Sequence, residues 1–167
     1  MAPTSGPSAP SSSTMLKTYR ALQNRPFGKI LFSRIVCWKA PYFASIRPTF
    51  QQLEPGYGEV TAPNRRAIRN HLGTVHAIAC CNIAELVGGS TLDVTLPPTH
   101  RWIPRGMAVQ YLAKAATDLR AVASINELSD LGATESREIV VPVDVLDTHN
   151  SIAVHADITM WVSPRNN

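Results

Sequence analysis

The stretch Asn70-His71-Leu72-Gly73-Thr74-Val75-His76-Ala77 gathers polar side chains around a Gly-Thr turn, and an apolar run follows it directly. Val75 to Val87 (VHAIACCNIAELV) is apolar nearly all the way round, interrupted by His76, Asn82 and Glu85. It reads as a helix buried on most sides that stops at the Gly88-Gly89 pair. A helix start carries N–H groups without intrahelical partners and the positive end of the helix dipole, so this turn offers a site for a developing oxyanion. Glu85 is the one acid of the run. An unpaired buried carboxylate is expensive and is kept where chemistry needs it, whereas one tied to an Arg or to backbone is structural; residue types alone leave both readings open. Asn82, one turn earlier, either bonds that carboxylate or is a satisfied core amide.

The elements that must position this stretch follow from periodicity. Residues 1–14 are Ala, Pro, Thr, Ser and Gly after the initial Met and read as a disordered tail. Residues 15–40 form an N-terminal capping segment, in which Leu16, Tyr19 and Leu22 recur at helical spacing until Asn24-Arg25-Pro26. Within the domain at 41–163, segments 44–53 and 57–62 flank Pro55, Gly56 and Gly58 as a strand pair. Segments 106–115, 117–127 and 137–146 alternate again, with Pro142 implying an edge position or a bulge. The last segment alternates most cleanly: Ile152, Val154, Ala156, Ile158, Met160 and Val162 share one face. Strands and helices do not take turns, so the expectation is an α+β domain, a curved antiparallel sheet wrapped around one central hydrophobic helix.

Composition removes several classes. The 167 residues suffice for one ordinary domain. Apolar stretches are broken before the roughly 20 residues a membrane span needs. The formal charge of +4 is local: residues 1–53 hold seven Lys and Arg and no acid, and the remainder is acidic. A nucleic-acid binder would carry a basic face and aromatic motifs on its folded part, and neither is present in the pattern. Cys37, Cys80 and Cys81 have no ligand or disulfide spacing, which implies a reducing compartment, no structural zinc and inert packing for the mid-helix pair. His149, His155 and Asp157 lack a further ligand, so no metal or bound cofactor is expected. The cytoplasm is the expected location; the acid-free, Arg-containing start leaves a mitochondrial presequence as the alternative.

The string from Asn70 to Ala77 with Glu85 resembles the hot-dog-fold acyl-CoA thioesterases, in particular the phenylacetate-pathway-type branch. That branch has an Asn, then Gly-x-x-His-Gly-Gly, then an Asp or Glu nine residues after the His; Asn70, Gly73, His76 and Glu85 fall in this register. The resemblance covers roughly residues 40–162. The chain departs from it in having His76-Ala77-Ile78 where the family has His-Gly-Gly, the glycines that let a thioester approach the backbone. A variant with His-Ala at this place resembles the whole string closely.

The resemblance implies hydrolysis of an acyl-CoA or acyl-phosphopantetheine thioester. Glu85 would be general base toward water, or nucleophile through an anhydride. Backbone N–H groups near His76 and Ala77 would polarise the carbonyl, Asn70 would orient carbonyl or water, and His71 and Gly73 would lie nearby. His76 and Glu85 are about 13.5 Å apart along one helix and about half a turn out of phase, so a thioester carbon cannot sit between them within one chain. A partner subunit must supply one of them, in a homodimer or tetramer. Arg65, Arg66 and Arg69, just before the motif, read either as contacts for carrier phosphates or as a solvated basic loop, with Lys114 a weaker candidate. Trp102 and Tyr111 line an acyl pocket or fill the core. A catalytically silent acyl-binding module is the competing reading, and the His-Ala-Ile turn is its support. Hydration chemistry is disfavoured, since the family's hydratases pair Asp with a later His that this helix lacks.

Overall fold

The computed structural model describes residues 13–126, 128, 131–132 and 134–165. The alternating segments form β1 (Thr49–Glu54), β2 (Tyr57–Ala62), β3 (His100–Tyr111), β4 (Leu119–Ser124), β5 (Arg137–Leu146) and β6 (Ile152–Pro164). They make one antiparallel sheet in the order β1-β2-β4-β5-β6-β3. The apolar run is helix α3 (Ala77–Thr95), which touches all six strands. Laid flat, six strands about 4.8 Å apart would span about twice the width of a helix. Contact with every strand therefore requires the sheet to curl around α3, which is the hot-dog arrangement. Val154, Ala156, Ile158, Met160 and Val162 of β6 are buried on its inner face, where the alternation puts them, whereas Ile152 is exposed beside a register shift at Val145/Leu146.

The helix does not stop at Gly88-Gly89 but runs through both to Thr95, where Leu96-Pro97-Pro98 ends it. The glycines serve close approach instead. A Cβ on Gly88 would come within 3.0 Å of Ile158 Cδ1, and one on Gly89 within 2.5 Å of Trp102 Cη2. By length and hydropathy α3 is the one helix among the described residues that could cross a membrane, but 67% of that window is buried inside the fold, so it is the core.

β3 begins at His100, six residues before the periodicity shows it, because Pro104 and a bulge between Pro104 and Gly106 break the alternation. Pro142 lies inside β5 just beyond the last β4 partner, Ala123 opposite Val143, so among the described residues that end of β5 has no β4 partner. The missing N–H of Pro142 then costs the ladder with β4 nothing.

The capping segment contains two helices, α1 (Thr14–Leu22) and α2 (Gly28–Lys39), where the spacing identifies one. Tyr19, Phe32 and Phe50 meet edge to face with ring centres 5.1 and 5.0 Å apart. The Tyr19 hydroxyl donates to Gln51 O, and the Phe50 N–H donates to Ser33 Oγ. These contacts tie both helices to β1. Of the expected tail, residues 1–12 lie outside the described residues, while Thr14 is helical and Ser13 Oγ donates to Asp93 at 2.8 Å.

Replacing Gly89 by Ala gains about 1 kcal/mol of helix propensity but forces Trp102 to move. The expected net result in chemical denaturation is a loss of about 1–2 kcal/mol. Adding Trp102→Leu should restore part of it, and a Gly89→Ala protein as stable as the wild type would refute the close-packing account.

Candidate functional site

Residues 68–76 form a loop that fixes the start of α3. The Val75 N–H donates to Ala115 O and the His76 N–H to Ile68 O, each at 2.8 Å. Asn70 closes the loop from within: its Oδ1 accepts from the Leu72 and Thr74 amides, and its Nδ2 donates to Thr74 Oγ1. Gly73 completes the turn at φ +80°, a left-handed conformation that favours glycine. His76 is the N-cap. Its Nδ1 accepts from Ile78 N–H at 3.1 Å and its carbonyl accepts from Ala79 and Cys80.

This geometry revises the expected oxyanion donors. The His76 amide, expected to face substrate, is taken by Ile68, and the Ile78 amide is taken by the His76 ring. The Ala77 N–H is the first-turn amide with no acceptor among the described residues. Asn70 has spent its carbonyl oxygen on the loop, so one N–H of its amide remains for a ligand. His71 is exposed and Ile78 stands 55% exposed at the helix tip.

Glu85 is half-buried midway along α3, with no hydrogen bond or ion pair to any described residue. Its side chain borders two cavities. The larger, about 560 Å³, runs along α3 between α1, α2 and the start of β3, with Phe32, Ile35, Val36, Phe43, Leu86 and Trp102 as its apolar wall. The smaller, about 290 Å³, opens at the β3 bulge beside Pro104, Arg105, Gly106 and Met107. Carboxylate and helix tip stay apart within the chain, since Ala77 and Glu85 are eight residues, about 12 Å, from each other along the axis.

Asn82 is buried and does not bond Glu85: its Nδ2 donates to Ser45 Oγ, and its Oδ1 has no partner among the described residues. The three arginines separate. Arg65 Nη2 donates to Ser45 O, Arg69 holds the Asn64 side chain and carbonyl, and exposed Arg66 has no partner among the described residues. Lys114 is exposed. Trp102 joins the cavity wall, whereas Tyr111 is exposed and its hydroxyl lies 3.5 Å from Cys81 Sγ. Burial pushes the Cys80 thiol up to about 12, as inert packing requires.

Trp102 is a pocket candidate by sequence, but the α2 wall escapes sequence reasoning because no local pattern joins residues 32 and 43 to 102. His100 is missed likewise: it is buried at the far end of the larger cavity, with Nδ1 3.0 Å from Thr99 Oγ1 and Nε2 without a partner among the described residues. On the outer sheet face His155 sits 2.7 Å from Asp144 and 3.5 Å from Asp157; His149 does not join them. No cluster able to hold a metal occurs among the described residues.

The chain belongs to the family described as domain of unknown function DUF4442, whose pattern matches residues 28–162. A crystal structure described as genomics APC5556 is 49% identical, covers 92% of this chain and 98% of its own, and superposes with a TM-score of 0.78. Thioesterase HI1161 from Haemophilus influenzae is 14% identical over 81% of this chain and 90% of its own, with a TM-score of 0.69. Thioesterase SAV0944 from Staphylococcus aureus is 13% identical over 74% and 99%, with a TM-score of 0.64. At that identity the likeness is one of fold, and it confirms the hot-dog architecture. A comparison with curated proteins returns no match.

Hydrogen bonding to Asp144 raises the His155 pKa above its ordinary 6.5. The pair's stabilisation is therefore complete below pH 6.5 and is lost as pH rises through the folded-state value. In an NMR titration His155 should remain protonated above pH 6.5, and Asp144→Asn should bring its midpoint down. A midpoint unmoved by that change would contradict the pairing. His76→Ala removes the N-cap acceptor and should cost about 1 kcal/mol in thermal or chemical unfolding, with Asn at 76 recovering most of it.

Proposed function

We propose that the protein hydrolyses acyl-CoA thioesters, or acyl groups on a phosphopantetheine carrier, as a homodimer or a tetramer. The observation that carries this reading is the Glu85 carboxylate, unpaired and half-buried on the shared border of an apolar cavity and an opening at the β3 bulge. The apolar cavity suits an acyl chain, and the bulge is a route by which the carrier arm reaches the carboxylate. Family resemblance supplies the reaction class, and the solved thioesterases supply fold-level support.

In this reading Glu85 takes a proton from water while the oxygen bonds to the thioester carbon. The carbonyl oxygen becomes an oxyanion and accepts from the Ala77 N–H of a second protomer, with the remaining Asn70 amide N–H beside it. Collapse breaks the C–S bond, the thiolate takes the proton held by Glu85, and a carboxylic acid and free thiol leave. Direct attack by Glu85 through an anhydride is the variant of the same site. Gly73 shapes the loop that presents this tip. Arg66, free and exposed, is the arginine available for carrier phosphates.

In this reading the second protomer docks along β3. β3 is a twelve-residue strand at the sheet edge, with Ile103 and Tyr111 exposed along it and Leu112 just beyond. Long apolar edges are templates for pairing with another chain. The competing reading, an acyl-binding module without turnover, is favoured by the helix tip, where a single unpaired amide remains.

Thiol release from a panel of acyl-CoAs tests the proposal. Wild type should turn over, Glu85→Gln should lose at least about a hundredfold in kcat with KM little changed, and Arg66→Ala should raise KM for acyl-CoA alone, not for acyl thioesters lacking the nucleotide. Binding without turnover across the panel would install the module reading; full activity in Glu85→Gln would discard the site.

A further inference from the structure

We propose that the outer face of α2 is a docking surface for anionic phospholipid membranes. Phe27, Leu31, Arg34 and Trp38 recur at i, i+4, i+7 and i+11 and so form one stripe along the helix, with Ile30 beside it and Tyr42 continuing it past the helix end. Phe27 is 81% exposed, Trp38 82% and Tyr42 70%, with Ile30 and Leu31 near half. Large aromatics at this exposure have no role in the core, which α2 serves with its opposite face, Phe32 and Val36. Phe27 is moreover held at φ +57°, a left-handed conformation uncommon for a bulky residue, and its ring stands in solvent.

Charge selects the partner. Residues 1–53 hold Lys17, Arg20, Arg25, Lys29, Arg34, Lys39 and Arg47 and no acid. All but Lys29 are exposed, and none forms an ion pair among the described residues. Trp, Tyr and Phe favour the headgroup boundary, and Lys and Arg favour a negatively charged leaflet. A neutral protein partner would answer the apolar stripe but not six exposed cations without an ion pair among the described residues. The inner face of the same helix lines the larger cavity through Phe32, Ile35 and Val36. Docking therefore places an acyl-sized cavity one helix away from the lipid surface. This surface does not depend on hydrolysis at Glu85.

Co-sedimentation of the full chain with vesicles of phosphatidylcholine, with and without phosphatidylserine, tests it. Binding is expected with phosphatidylserine alone and should weaken as salt is added. Trp38→Ala should weaken it about tenfold, and Arg34→Gln about fivefold. Both residues are exposed, so circular dichroism melting should stay unchanged and separate lost docking from lost folding. Equal binding to both vesicle types, no binding at low salt, or affinity indifferent to Trp38 would each overturn the proposal. A change in assembly mass on Trp38→Ala, without vesicle binding, would mean that a second copy covers the stripe instead.

Discussion

The enclosure of α3 is the constraint from which the other features follow. A helix carrying Cys80, Ile83, Leu86, Val87, Leu92 and Val94 in full burial cannot rotate or slide without re-exposing large side chains, each worth roughly 1.5–3 kcal/mol. The sheet must curl to cover it, and Gly88 and Gly89 let Ile158 and Trp102 approach its backbone. A helix held that firmly offers chemistry only its tip and whatever window the packing leaves. The tip belongs to Ala77; the window belongs to Glu85.

Both openings owe their form to irregularities. Trp102 is pressed against Gly89, and two residues further on β3 breaks register at Pro104, so the strand departs from the helix beside Glu85. On the other side α1 and α2 stand off α3 far enough to leave the larger cavity, while Tyr19, Phe32 and Phe50 fasten them to β1. Regular pairing throughout would have sealed Glu85 in, where an unpaired carboxylate carries a large desolvation cost.

Much of this was legible in the chain. The β6 alternation, the apolar helix and the polar string before it give the architecture without reference to tertiary contacts. The end of α3 is not legible because Gly-Gly signals a stop locally, whereas here it answers Trp102 and Ile158 on distant strands. The start of β3 was hidden by Pro104, and α2 lacks a clear period because it is apolar on two faces, one for the core and one exposed. Candidates adjacent in sequence, such as Asn70 and Gly73, are legible because one loop holds both. Phe32, Phe43 and Trp102 were not named together, because only folding brings them to one cavity.

The helix tip and the carboxylate argue in different directions, and their magnitudes decide between them. Loss of one oxyanion donor slows acyl transfer by about a hundred to a thousandfold, so a tip with one free amide describes a slow hydrolase as readily as an inert one. Glu85 is less ambiguous. A module that only sequesters acyl chains gains nothing from an unpaired carboxylate beside its apolar wall, and an apolar residue there would both bind better and remove the desolvation penalty. The proposed hydrolysis needs a proton acceptor at this border; of the two α3 acids that line the larger cavity, Asp93 accepts from Ser13 and Glu85 has no partner among the described residues. For the proposed reading, the unpaired acid therefore weighs more than the missing amide.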